Sequence, residues 1–247
     1  MDRKAKLEEL KSYLYTHRGF HDKPAIPENS MAAFRRTKER GWGSEMDIHL
    51  MKDGNLGIAH DSNLMRVTGA DVRIEDLTKE DLENYRLEGT DERIPLFEEL
   101  LELKIPLIVE LKVENGDYNE LAAAAWERLK DYDAPYCIES FDPRAVLWFT
   151  KNHPEVIRGQ LAQDYSNEAQ VHVSGLMKTM LRDLWFNPLT KPDFVAYRFS
   201  DRHNKHLQRY IKRGGQEVSW TIRTKEDFDT AVKEGSIPIF ELFDPEQ

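Results

Sequence analysis

The sequence predicts a (β/α)8 barrel, the TIM-barrel fold, with a small insertion after the second strand. Three observations carry this prediction. Short apolar runs alternate with longer amphipathic ones from end to end, the pattern of parallel βαβ units. Eight such runs fit into 247 residues, the usual size of this barrel. No Gly-x-Gly-x-x-Gly follows the first run, which removes the best reason to prefer an open dinucleotide-binding sheet.

The first strand is assigned to residues 14–17, and Gly19 just past it lets the backbone turn sharply. Residues 30–40 read as the first helix, which Asn29 or Ser30 can cap. The second strand, 44–50, alternates polar and apolar side chains. The connection after it, 51–105, is much longer than a plain helical crossover. It opens with the hairpin signal Lys52-Asp53-Gly54-Asn55 and holds a short helical pattern at 78–86. It is read as an insertion subdomain over the barrel mouth, within a single barrel domain spanning 1–247. Further strands follow at 106–111, 136–139, 157–161, 194–197, 217–222 and 237–240. Helical patterns lie between them at 118–131, 143–151, 175–186, 203–213 and 225–234. In the 175–186 pattern, Leu176, Met177, Met180, Leu181, Leu184 and Trp185 form an apolar stripe. Its plain reading is packing on the barrel; the other is an apolar lid that meets lipid tails or a membrane surface.

Composition excludes several classes. Hydrophobic residues make up 40% and charged residues 32%, enough for a sizeable core and too ordered a mixture for a disordered chain. The longest purely apolar run, 121–126, falls far short of the roughly 20 residues a spanning helix needs. The first twenty residues alternate charge with leucine and lack the apolar segment of a signal peptide. A single cysteine, Cys137, excludes an intramolecular disulfide and a Cys-rich metal site, and fits a reducing compartment. The expectation is a soluble, cytoplasmic protein. The net charge of −10 argues against a sequence-independent nucleic-acid binder, which needs a basic surface. It leaves a small phosphate-bearing substrate open, because a bound metal ion can reverse the field inside one pocket.

The chemistry concentrates at strand ends. A strand has period two, so Glu45, Asp47 and His49 share one face while Met46, Ile48 and Leu50 share the other. In a barrel the apolar set packs under the helices and the polar set points inward. Two inward carboxylates need a cation or a strong donor to stay ionised; a salt-bridged pair or a solvated strand face is the plainer account. The third strand repeats the device with Glu110 and Lys112, at the end where barrel enzymes place their chemistry. Glu45, Asp47 and Glu110 together offer oxygen ligands, which suit Mg2+, Ca2+ or Mn2+ rather than zinc. If Asp53-Gly54 is a two-residue turn, Asp47 stands opposite His60 and turn geometry alone delivers that histidine to the carboxylates. His17 ends the first strand, and the adjacent Arg18 can pair its guanidinium with oxyanion oxygens. Two imidazoles can divide general base and general acid work, while a divalent metal and two cations neutralise a phosphodiester.

Several motifs run through the chain in order: His17-Arg18-Gly19, Pro27-Glu28-Asn29-Ser30, Glu45-x-Asp47, Asp53-Gly54, His60-Asp61, Arg66, Ile94-Pro95-Leu96, Glu110-x-Lys112, Ser140-Phe141 and Trp220-Thr221. Together they resemble the glycerophosphodiester phosphodiesterase family over nearly the whole length. The resemblance implies a barrel with an insertion after the second strand, and hydrolysis of glycerophosphodiesters to glycerol 3-phosphate and an alcohol, in lipid and glycerol metabolism. It implies Glu45, Asp47 and Glu110 as ligands of one divalent cation, His17 and His60 as the acid/base pair, and Arg18 and Lys112 as phosphate ligands. It further implies attack by the substrate's own 2-hydroxyl to give a cyclic phosphate that water opens. The end of the chain, Gly235-Ser236-Ile237-Pro238-Ile239-Phe240-Glu241, departs from the family's usual Gly-Val-Asp-Gly…Thr-Asp run, and Met51 stands where Thr is usual.

Two alternatives stay open at this point. One is a Mg2+-dependent enolate-forming barrel with Lys112 as base, which leaves Arg18 and His60 without roles. The other is an inactive barrel that binds phosphorylated ligands.

Overall fold

The computed structural model describes residues 2–165 and 174–247. Among these, eight parallel strands close into a barrel: β1 (Tyr15–His17), β2 (Gly43–Leu50), then, past the short β3 (Leu56–Ile58), β4 (Leu107–Leu111), β5 (Tyr136–Ser140), β6 (Arg158–Ala162), β7 (Phe194–Arg198), β8 (Gln216–Ile222) and β9 (Ile237–Phe240). β1 pairs with both β2 and β9, which completes the ring, and β3 runs antiparallel to the part of β2 that overshoots it. Each predicted strand is present to within one residue at either end. The helices are α1 (Arg3–Leu10), α2 (Met31–Glu39), α3 (Met65–Thr68), α4 (Phe97–Leu101), α5 (Tyr118–Leu129), α6 (Pro143–Asn152), α7 (Gly175–Arg182), α8 (Asn187–Thr190), α9 (Lys205–Lys212) and α10 (Lys225–Lys233).

Side-chain alternation builds two cores. Outward residues of the strands, such as Met46, Ile48, Val109 and Ile138, are buried beneath the helices with Leu121, Ala125 and Phe149. Inward residues, including Tyr15, Ile108, Cys137, Phe194, Val218 and Ile237, fill the barrel. The close fit is visible at Gly159, where a Cβ would lie 2.1 Å from the Phe194 ring. The N-terminal helix α1 was not anticipated, because its charged sequence carries few apolar residues. Asp2 caps it by accepting from the Lys4 N–H at 2.6 Å, and Leu10 packs under the barrel, where the Tyr15 hydroxyl donates to its carbonyl at 3.0 Å. Burying a leucine there contributes about 1.5–3 kcal/mol. Where Leu7 and Leu10 meet Tyr15, Ile108 and Phe194 at the floor, the packing leaves a void of only about 10 Å³.

Three expectations need correction. The hairpin turn spans three residues, Lys52-Asp53-Gly54, with Met51 N–H donating to the Asn55 carbonyl at 2.9 Å and Gly54 at φ +81°. A three-residue loop with glycine in the left-handed position is a common hairpin solution. Ile48 therefore pairs with Ile58 and Leu50 with Leu56, so Asp47 stands opposite Ala59 and not His60. The predicted 175–186 helix is four residues shorter: α7 stops at Arg182 and Leu184 turns at φ +60°, and the separate short helix α8 begins only at Asn187, beyond the predicted range. The left-handed turn at Leu184 ends α7, with Trp185 N–H donating back to the Met180 carbonyl at 3.0 Å. Its stripe divides accordingly: Leu184 is buried, while Leu176 and Trp185 are 66% and 55% exposed. Finally, the 78–86 pattern is a single 3-10 turn, Asp81–Asn84, which buries Leu82.

Between β2 and β4, α3 and the short 3-10 turns gather around a separate apolar cluster that includes Met51, Leu64, Ile74, Leu82 and Ile94, while β3 and α4 pack into the main core through Leu56, Ile58, Phe97 and Leu100.

Candidate active site

All seven side chains singled out from the sequence converge at the C-terminal ends of the strands. His17, Arg18, Glu45, His60, Glu110 and Lys112 line one cavity of about 570 Å³. Asp47 lies against them, fully buried, with Lys112 Nζ 2.9 Å from its Oδ1 and Arg18 Nε 3.5 Å from its Oδ2. Strand register sets the arrangement, since Asp47 is the lateral neighbour of Glu110 and His17 of Glu45. Ligand oxygens of Glu45, Asp47 and Glu110 fall within 4.8 Å of one another.

His60 arrives by a different route from the one expected. β3 ends at Ile58, so His60 leaves the ladder and is free to turn toward the mouth. Its carbonyl lies 3.4 Å from His49 Nε2, and the other nitrogen of that buried ring meets Glu75 at 2.7 Å. His49 thus faces the insertion rather than the carboxylates, because β2 extends past the barrel rim.

The charges in this site are unevenly matched. Burial pushes the Glu45 carboxyl well above its usual range, and Asp47, Glu110 and Glu139 add to the shift. Burial likewise raises Glu110, against the pull of Lys112. Asp47 behaves oppositely: burial raises it, but Lys112, His60, Arg18 and the Asn29 side chain, which donates at 2.9 Å, together hold it well below. Four buried carboxylates, Glu139 included, thus face two buried cations, and Arg18 is shared with Glu28 at 2.9 Å. A divalent cation between Glu45, Asp47 and Glu110 fits this donor set and would offset the excess negative charge.

The two histidines share one architecture. His60 Nδ1 faces Asp61 Oδ1 at 2.6 Å, and His17 Nδ1 faces the Glu241 carboxylate. His17 Nε2 points to Glu45 Oε2 at 3.9 Å. Burial, with Arg18 nearby, lowers His17 to about 4; burial and Lys112 lower His60. Both rings are therefore held toward the neutral form, in which one nitrogen can accept a proton. Arg18 sits at φ +57°, a left-handed conformation that costs on the order of 1 kcal/mol for a non-glycine residue. Its N–H donates to the Glu45 carbonyl at 3.0 Å and its carbonyl accepts from Asn29 at 2.8 Å, so the turn is held from both sides.

Sequence reading missed Glu139 and Glu241, and took Asn29 only as a possible helix cap. Ser30 is the cap, accepting from Ala33 N–H at 3.1 Å. The period-two rule that selected Glu45 and Asp47 also selects Glu139, two beyond Cys137, and Glu241, two beyond Ile239. Applied to β5 and β9, it would have found both.

The cavity has two flanks. Val113, Phe141, Leu161, Tyr165, Leu181 and Trp220 form an apolar wall, with the Phe141 and Trp220 rings edge to face at 5.7 Å. On the other side a region of about 940 Å³, lined by Lys23, Glu28, Arg66, Arg223 and Glu241, shares His17 and Arg18 with the first.

Carboxylates gathered for a cation, with an arginine and a lysine facing the same space, suit a substrate that is itself an oxyanion. Fold and site together define a barrel enzyme of phosphate-ester chemistry. Relatives narrow the class: the model of the glycerophosphoryl diester phosphodiesterase family matches residues 17–241, and the chain belongs to that family. A glycerophosphodiester phosphodiesterase of Caldanaerobacter subterraneus subsp. tengcongensis is 27% identical over 240 residues, 92% of each chain. Lysophospholipase D GDPD1 of Homo sapiens is 36% identical over 121 residues, 43% of this chain and 38% of that one. Among solved structures, an Oleispira antarctica phosphodiesterase in complex with the product sn-glycerol-3-phosphate superposes with a TM-score of 0.76, at 23% identity over 93% of this chain and 92% of that one. The chain is a phosphoric diester hydrolase that converts glycerophosphodiesters to glycerol 3-phosphate and an alcohol.

Proposed function

We propose that this hydrolysis depends on one divalent cation held by Glu45, Asp47 and Glu110, with His17 and His60 as the acid/base pair and Arg18 and Lys112 as phosphate ligands. The observation that carries the reading is the buried carboxylate triangle at the strand ends, flanked by two imidazoles and two cations. When bound, the cation supplies charge neutralisation at the phosphoryl oxygens. The oxygen-only donors favour Mg2+ or Ca2+, with Mn2+ next. Arg18 and Lys112 bind and orient the phosphate. One histidine takes the proton of the attacking hydroxyl through its free nitrogen as the new O–P bond forms. The other, which takes up a proton from solvent when the anionic phosphate lies beside it, gives that proton to the alcohol oxygen as the old P–O bond breaks. The substrate's 2-hydroxyl is the proposed nucleophile; water then opens the cyclic phosphate, and the two histidines exchange roles.

Metal-stripped protein is expected to hydrolyse glycerophosphocholine only after a divalent ion is restored. His17→Ala and His60→Ala should each lower turnover about 10²-fold or more. The double variant should lose less than the product of the two, since paired catalytic groups act as a unit. Full turnover in chelator, or in either single variant, would refute the assignment.

The apolar wall favours a second substrate class. An acyl chain attached to the glycerol could lie along Phe141, Trp220 and Leu181 and continue onto the exposed side of α7. Lysophosphatidylcholine turnover comparable with that of glycerophosphocholine supports this reading; its absence removes it.

We also infer that 51–105 acts as an insertion subdomain over the mouth of one barrel domain spanning 1–247. Its separate apolar cluster and the entry of His60 and Arg66 into the mouth support this. A cytoplasmic location is proposed on the single, buried Cys137, which suits a reducing compartment, and cell fractionation tests it. Among the described residues no helix is long and apolar enough to cross a membrane.

A further inference from the structure

The end of the last strand brings a carboxylate to the first histidine. β9 lies beside β1 with Tyr15 opposite Ile239 and Thr16 opposite Phe240, so His17 and Glu241 continue the same register, both pointing inward. The Glu241 N–H donates to the Ile222 carbonyl at 3.0 Å, which ties its backbone to β8. Its side chain is only 8% exposed. One carboxylate oxygen faces His17 Nδ1 and lies 3.4 Å from His21 Nε2; the other accepts from Arg223 Nε at 2.7 Å.

We propose that Glu241 is a positioning residue that fixes the ring and tautomer of His17, so that Nε2 presents its lone pair to the reacting phosphate. A carboxylate is an acceptor only, so the neutral ring must place its single proton on Nδ1. Nε2 is then left unprotonated, facing the carboxylates from across the cavity at 3.9 Å from Glu45. The same device operates at His60, where Asp61 is its neighbour in the chain; at His17 the partner comes from the far end of the barrel. Arg223, whose side chain is 61% exposed, holds the second oxygen and so sets the carboxylate plane. The inference rests on the proposed acid/base role of His17 for its effect on turnover, but not for its effect on the ring.

Long-range 15N–1H correlation spectra of the full-length protein, labelled at histidine, read the tautomer directly. In the unaltered protein His17 is expected as the Nδ1–H form; a predominant Nε2–H form would overturn the proposal. Glu241→Ala should mix the two tautomers and lower kcat about 10- to 100-fold, with KM changed by no more than about twofold. Glu241→Gln retains one acceptor, so it should recover part of that loss; equal loss in both variants with an unmoved His17 spectrum would also overturn it. If Glu241→Ala shifts the tautomer while His17→Ala keeps full turnover, the positioning stands and the acid/base role falls.

Discussion

Glu45, Glu110 and Glu139 are worth most to the folded protein when they carry protons. Each is raised by burial and by its acidic neighbours, so the native state binds protons that the unfolded chain releases. The stability this confers is full below the unfolded carboxylate pKa and is lost as pH rises through the folded one. In the proposed metal-bound state a divalent cation replaces those protons. Its addition should therefore raise the melting temperature more at pH 7.5 than at pH 5.5, and Glu45→Gln should melt higher than the unaltered protein without metal while losing most of the metal response. Equal metal shifts at both pH values would contradict this. That these seven side chains would come together was legible in the sequence, because strand alternation and the ordered motifs point at the same positions. Glu139 and Glu241 were not read, since neither sits in a two-carboxylate pattern of its own. Asn29 was hidden by an adequate local explanation, the helix cap, whereas its side chain serves Asp47.

At the level of elements, the strands were legible almost to the residue and the linking segments were not. Strands here are apolar on both faces or cleanly alternating, and burial enforces either pattern. The hairpin register failed by one residue because the sequence Asp53-Gly54 permits both two- and three-residue loops, and only packing chooses between them. His60 nevertheless reaches the site, because the ladder ends before it. α1 was missed because its helix depends on tertiary burial of Leu10 and not on an amphipathic stripe of its own. The tight element contact at Gly159 gives a test of how rigid the barrel interior is. Gly159→Ala must displace the buried Phe194 ring, and overpacking of this kind costs about 1–3 kcal/mol. Denaturant unfolding should show that loss; an unchanged midpoint would mean that the ring moves without penalty.

For the molecule as a whole, every charged contact proposed for the substrate addresses the phosphate, which all glycerophosphodiesters share. The alcohol meets only the rim. Glycerophosphocholine and glycerophosphoethanolamine should therefore differ by about tenfold or less in kcat/KM, equivalent to about 1.4 kcal/mol. A 2-deoxyglycerol analogue should be a poor substrate of the same site. A thousandfold headgroup preference, or undiminished turnover of the analogue, would count against these expectations. The fold class was legible from the alternation, the number of strands for this length and the missing dinucleotide fingerprint, but the packed floor was not, because it depends on α1. Among the described residues, that packed floor leaves the site open over the rim. Whatever enters over the rim must leave over it, and the two fragments do not leave on equal terms. On the proposed roles of Arg18 and Lys112, glycerol 3-phosphate would stay bound to both after the ester is cut, so the alcohol should leave first and the phosphate last, each by the way it came.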